Sequence, residues 1–373
     1  MYLIKKLHPT ICALIAILLA ACAPVEKKWD IVWPLPPEEP RIKYVGILRS
    51  SLDVEKPGGL MKALVGPDSL HVLRKPYGIA TDKEGRVYVS DIGRVFVFDR
   101  KNRKFSLIGD EGTGKLSSPV GIAVSNKDGK VYVTDIRAKK VFVYDQSGKL
   151  FTAIGKKGEL ENPTSIALDE KRGKLYVTDS KKHNVMVYSL DGSLLMTLGA
   201  GKRSGLKGEF STPSHIALDS NGNFYVVDTQ NFRVQVFNPD GKHLRDFGSL
   251  GDGLGNFARP KGIAIDSEDN IYVVDAVFNN VQIFDKEGQL LLFFGSYGSS
   301  PGQLLLPAGI AIDNEDRIYV TEQFSARVQV FQYLGEKDKK GITAAEKAEG
   351  ESGKATESEK TTDIKEEKKA GEH

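Results

Sequence analysis

Cysteine is nearly absent: the 373 residues hold two, Cys12 and Cys22. Cys12 sits inside an apolar N-terminal run, so a disulfide framework is excluded and stability must come from a buried core. Long apolar runs are missing as well. The stretch from Ile11 to Ala21 is eleven residues, short of the about 20 that a membrane-spanning helix needs. Charge of one sign is not in excess, since 52 Lys and Arg face 49 Asp and Glu, a net +3. That balance argues against a dedicated nucleic-acid binder. Histidine is scarce, with six in the chain, and no Ser-His-Asp or Cys-His arrangement stands out.

What is abundant is repetition. Prolines at 76, 119, 163, 213, 260 and 307 each open a similar stretch, at spacings of 43, 44, 50, 47 and 47 residues. The copy from Arg259 to Gly295 shows the skeleton best. It reads proline, two residues, Ile-Ala, a residue and Asp, a short turn, Tyr-Val and an acid, then Val-x-Ile-Phe and a last apolar run. A period in this range marks a repeat architecture. Each copy holds four short β patterns, in this one Gly262–Asp266, Ile271–Asp275, Val281–Phe284 and Leu290–Phe294. Turns such as Asp219-Ser-Asn-Gly222 and Lys286-Glu-Gly288 suit tight hairpins. A four-stranded antiparallel meander follows for each copy.

These strands are apolar on both faces, and an alanine recurs in the first strand at Ala80, Ala123, Ala167, Ala217, Ala264 and Ala311. Sheets converging on an axis explain both facts, because neighbours cover both faces and the innermost strand has least room. The fold class expected is all-β, a six-bladed β-propeller with four-stranded antiparallel blades.

The skeleton resembles the NHL repeat family of six-bladed propellers over about residues 76 to 334. Tyr225-Val-Val-Asp228-Thr-Gln-Asn231-Phe-Arg233-Val-Gln-Val-Phe237 carries the pattern most fully. Blade six keeps Arg327-Val-Gln-Val-Phe331 but has Glu322 where the pattern has Asp, and blade one lacks two residues between Asp91 and Val95. The resemblance implies fold and says little about activity. Related amidoglycolate lyase propellers place several histidines around the axial channel, which this chain does not.

The N-terminus reads as an export signal: Lys5, Lys6, the short apolar run and Leu19-Ala20-Ala21-Cys22. The last four residues look like a lipobox, which would make Cys22 a lipidated first residue; an ordinary signal peptide is the alternative. The expected organisation is a lipoprotein signal at 1–21, lipidated Cys22 with a Pro-rich linker at 22–40, the propeller at 41–335, and a charged, disordered tail at 336–373. The chain would then be exported and held in the cell envelope, at the outer membrane if the envelope is Gram-negative. In the linker, proline suggests a stiff extended spacer, with Trp29, Ile31, Trp33 and Leu35 on one side. That side would pack on the propeller flank or present a partner-binding strip. Arg41 to Leu48 is a strand with no repeat around it, while blade six runs out after its third strand. The N-terminal strand is therefore expected to close the last blade.

Candidate chemistry is sparse. The acids Asp91, Asp135, Asp179, Asp228, Asp275 and Glu322 recur once per blade, as structural turn acceptors would; a metal-holding ring is the alternative. Just after the lead prolines, only His215 could ligate a metal, and one imidazole makes no zinc site. His215 is expected to be a hydrogen-bonded channel residue. Loops between strands two and three share a face with the connections between blades. There Arg137, Lys139, Lys140, Lys181 and Lys182 would form a basic arc beside Phe232, Phe278 and Phe324. An anionic partner segment with an apolar portion would suit them; ordinary surface lysines and phenylalanines tucked between blades are the bland reading.

Two functions compete. One is a non-catalytic envelope lipoprotein, a monomer needing no cofactor, anchored to a membrane and binding a protein or glycan. The other is a divalent-metal-dependent lyase or hydrolase of the amidoglycolate-lyase or lactonase propeller type.

Overall fold

Strand Ile271–Asp275 shows why these residues extend. Ile, Tyr and two valines favour a pleated backbone, and all five residues are buried. A strand buried on both faces needs a neighbour on each, and the neighbours are other blades. Ala264 packs with Ile310 and Ile318 of blade six, while Ile263 packs with Tyr225 and Val227 of blade four. The rim strand Leu290–Phe294 instead alternates in exposure, because water reaches one side.

The computed structural model describes residues 29–55 and 70–335. The signal at 1–21, Cys22 and the tail 336–373 lie outside the described residues. The chain divides into two units, Met1–Asp30 and Ile31–His373, and the propeller belongs to the second. Five four-stranded antiparallel sheets and one five-stranded sheet make six blades. They span 79–108, 119–154, 163–198, 213–247, 260–294 and 307–333, the last joined by strands near the N-terminus. Inner strands contact one another in chain order, and the sixth returns to the first.

Ring closure is made by Ile42–Leu48, which pairs antiparallel with Arg327–Tyr333, Ile42 opposite Tyr333 and Leu48 opposite Val328. The apolar side of the linker packs on the propeller flank, as expected, and the segment also pairs as a strand, which a plain spacer would not. Val32–Trp33 adds a fifth strand to blade six, Trp33 opposite Ile42. The Trp33 indole lies 5.9 Å from Phe294 and 5.8 Å from Phe331, filling the gap between blades five and six. Ile31 and Trp33 face the core while Leu35 turns out to solvent. Burial of one large aromatic outweighs the stiffness of the prolines around it.

The turns on one face of the ring are built on carboxylates. Asp266 accepts from the backbone of Glu268 and Asn270 at 2.9 Å each and from the Tyr272 hydroxyl at 3.0 Å. Asp82 with Tyr88, Asp219 with Tyr225 and Asp313 with Tyr319 repeat the tyrosine contact. In the outer turns, Gly288 has φ of 89°, and a Cβ there would lie 2.7 Å from Phe247 of the preceding blade. Both reasons require glycine.

At the axis, hydroxyls of the second strands in blades one, three and six reach the first strand of the next blade. Ser90 Oγ donates to the Val120 carbonyl at 2.7 Å, and Thr321 Oγ1 donates to the Tyr77 carbonyl at 2.7 Å, from the last blade to the first.

Candidate functional site

The ring of acids is structural. Asp275 accepts from the backbone N–H groups of Ala258 and Arg259 at 2.8 and 2.9 Å and from Val277 and Phe278 at 2.9 and 3.0 Å. Asp91, Asp135 and Asp179 do the same in their blades. Each carboxylate thus stitches a connection between blades to a loop between strands two and three. In blade four, burial pushes the Asp228 carboxyl up, opposed by hydrogen bonds from Asn231 and Ser211 and by Arg233.

Blades four to six add a second brace. Gln282 accepts from Gly255 N–H and donates to the Asn256 carbonyl, both at 2.9 Å. Gln235 holds Gly208 and Glu209 in the same way, and Gln329 holds Gly302 and Gln303. Arg327 reaches the Ser299 carbonyl at 2.8 Å and the Glu322 carboxylate at 2.5 Å. These three connections, 199–212, 248–259 and 295–306, are longer than those before blades two and three. Each also plants a fully buried anchor, Phe210, Phe257 or Leu304. The connections are therefore rigid platforms.

Their tips are apolar. Among the described residues, six large apolar side chains are at least two-thirds exposed, and five of them are Leu206 (68%), Leu250 (67%), Leu254 (69%), Tyr297 (72%) and Phe324 (77%) on this loop face. The sixth is Leu35, before the closing strand. The short turns opposite expose only Leu190. Sequence reading passed over Leu206, Leu250, Leu254 and Tyr297 because they lie in glycine-rich segments that look like plain turns. The signal that could have found them is the Gln at the centre of the third strand, present in the three blades with long connections.

The arcs expected from sequence need correction. Phe232, Phe278 and Phe324 stand four, three and two residues after their blade's acid, so they point differently. Phe232 takes a left-handed backbone, φ 54°, and packs into the core between blades four and five. Phe278 is half-buried, and Phe324 is out. Among the basic residues, Arg137, Lys139, Lys140 and Lys181 are exposed. Lys181 pairs with Glu161, whose carboxyl is held low by Lys181, with Lys139 and Lys182 adding to the effect. Lys182 is a clamp: its Nζ donates to the carbonyls of Gly158 and Glu159 in the preceding connection.

His215 lines the axial cavity, about 250 Å³ between the six inner strands. It is not the hydrogen-bonded residue expected: Nδ1 and Nε2 both lack a partner. Its ring stacks on Tyr77 instead, centroids 5.6 Å apart and planes at 19°. Burial, reinforced by Lys261, pushes its pKa down to about 3. Among the described residues, no three His, Cys, Asp or Glu side chains group so as to hold a metal ion.

Fold and site define a six-bladed propeller with one braced loop face. Residues 117–199 and 209–279 match the model of a family described as a 6-bladed beta-propeller. That match concerns the propeller; the NHL pattern is a resemblance of the motifs in blades four and six. No curated protein matches the chain. Solved structures of similar shape include virginiamycin B lyase from Staphylococcus aureus, at 16% identity and TM-score 0.51, covering 69% of this chain and 94% of that one. An auxiliary nutrient binding protein from Bacteroides thetaiotaomicron matches at 14% identity and TM-score 0.55, covering 70% of each chain. A protein of unknown function from the same organism matches at 22% and 0.53, again over 70% of each. At these identities the likeness is one of fold.

Proposed function

We propose that this chain is a non-catalytic binding module, tethered to a membrane of the cell envelope through Cys22, whose loop face takes a protein partner. The observation that supports it is the one-sided placement of exposed apolar side chains on braced connections. Exposed apolar clusters on rigid loops mark interaction surfaces, and preorganised loops lose little entropy on binding. Leucine tips favour a protein over a glycan, since sugars are held mainly by aromatic faces. On the same face, in blade two, Arg137, Lys139 and Lys140 offer cations to acidic residues of the partner. The lyase or hydrolase reading has less to rest on, because His215 is the one imidazole lining the channel.

The test is chemical crosslinking of the full chain in native membranes. Two variants should lose capture of the crosslinked partner at unchanged melting temperature. One is Leu250→Ser/Leu254→Ser/Phe324→Ser, the other Arg137→Glu/Lys139→Glu/Lys140→Glu. Added salt should weaken capture by the wild type. Equal capture by both variants, or loss confined to changes in the short turns, overturns the proposal. Lys182 is left intact because its reversal would unfasten a connection.

A further inference from the structure

Six blades in a closed ring place blade one opposite blade four, so a contact between them crosses the axis. Tyr77 of blade one and His215 of blade four make that contact. Inner strands start on the loop face, and the cavity is lined from the second position after the lead proline onward, or the third in blade five. Tyr77, one position earlier, therefore covers the loop-face end of the channel, with His215 beneath it, 7% exposed.

Lys261 of blade five stands beside this cover, its Nζ 5.3 Å from the centre of the Tyr77 ring. It is partly buried, yet among the described residues no carboxylate pairs with it. The charged groups that act on Tyr77, His215 and Lys261 are Arg259 and Lys261, both cations. A desolvated cation without a counter-ion is costly in a fold, and sites of this kind are where ligands supply the missing charge. Facing the aromatic ring compensates only in part.

We propose that the loop-face mouth of the axial channel binds a small anion carrying a carboxylate or phosphate group. Lys261 Nζ is the direct partner, Arg259 adds charge at the rim, and the stacked Tyr77 and His215 rings form the floor. The floor is uncharged, so the anion keeps its outer side in water and the site takes an anionic head rather than burying a whole molecule. Burial holds the Lys261 pKa down to about 8. Across pH 7 to 9 His215 stays neutral, and Tyr77, pushed up to about 12, stays protonated. Lys261 is then the group that titrates at this mouth.

Isothermal titration of the full chain with sodium phosphate, sodium acetate and sodium citrate at low ionic strength tests this. At pH 6.5 at least one of the three should bind saturably, one per chain. Affinity should fall several-fold between pH 7 and pH 9, and at least tenfold in Lys261→Met, which should melt no lower than wild type. Lys171→Met, in a short turn on the opposite face, should leave it unchanged. Three unsaturable titrations, or a Lys261→Met variant that binds as wild type does, would overturn the proposal.

Discussion

His215 makes stability depend on acidity. Its folded pKa, about 3, lies below the 6.5 of an unburied imidazole because burial penalises the cation. An unfolded chain takes up the proton first as pH falls, so the contribution is intact above pH 6.5 and drains away towards pH 3. The slope is about 1.4 kcal/mol per unit, or about 2 kcal/mol between pH 6.5 and 5. His215→Phe keeps the stack on Tyr77 and removes the titrating group. Urea unfolding at pH 7 and pH 5 should show the variant losing about 2 kcal/mol less than wild type. Parallel losses in the two proteins would mean the imidazole is hydrated in the fold. Sequence placed Tyr77 and Lys261 directly after their lead prolines and His215 one position further on. It could not reveal their meeting, because repeat spacing fixes a residue's height along the axis and not its reach across it.

At the scale of strands and loops, most of the sequence reading survives. The four strands expected in blade five are found within two residues of their bounds, since alternation, β-branching and Asp/Gly turns agree there. The loops were read less well, because three consecutive residues after each acid face three ways. Position two points out, giving Arg137, Lys181, Val277 and Phe324 at successive tips, and position four turns left-handed, as Lys139, His183 and Phe232 do. The closing strand was legible from a surplus at one end and a deficit at the other. Deleting 41–48 removes the buried side chains Ile42, Tyr44 and Leu48, about 6 kcal/mol of burial at about 2 kcal/mol each. That should lower the melting temperature by about 10 °C or more and promote association through the bared edge of Arg327–Tyr333. A monomer with an unshifted transition would show that the pairing contributes nothing.

For the whole molecule, anchoring is the untried half of the proposed function. Cys22→Ser should move the chain from the membrane to the soluble fraction of a cell lysate, since stable attachment needs more than one acyl chain and lipoprotein modification supplies several. Wild-type protein recovered as soluble would refute the anchor.

The joint between blade six and blade one has a further consequence, in time. Two fasteners meet there: the strand Ile42–Leu48 at the rim and the Thr321 hydroxyl on the Tyr77 carbonyl at the axis. Ile42–Leu48 and Tyr77 emerge before the blades between, whether from a ribosome or through a membrane pore, and Thr321 and Arg327–Tyr333 emerge after them. Until then five blades form an open arc with a bare sheet at one end and an unmated strand at the other. At roughly 5–20 residues per second, that interval lasts on the order of a quarter of a minute to a minute. A chaperone that shields this protein would therefore need to hold the strand Ile42–Leu48 for as long as the sixth blade takes to arrive.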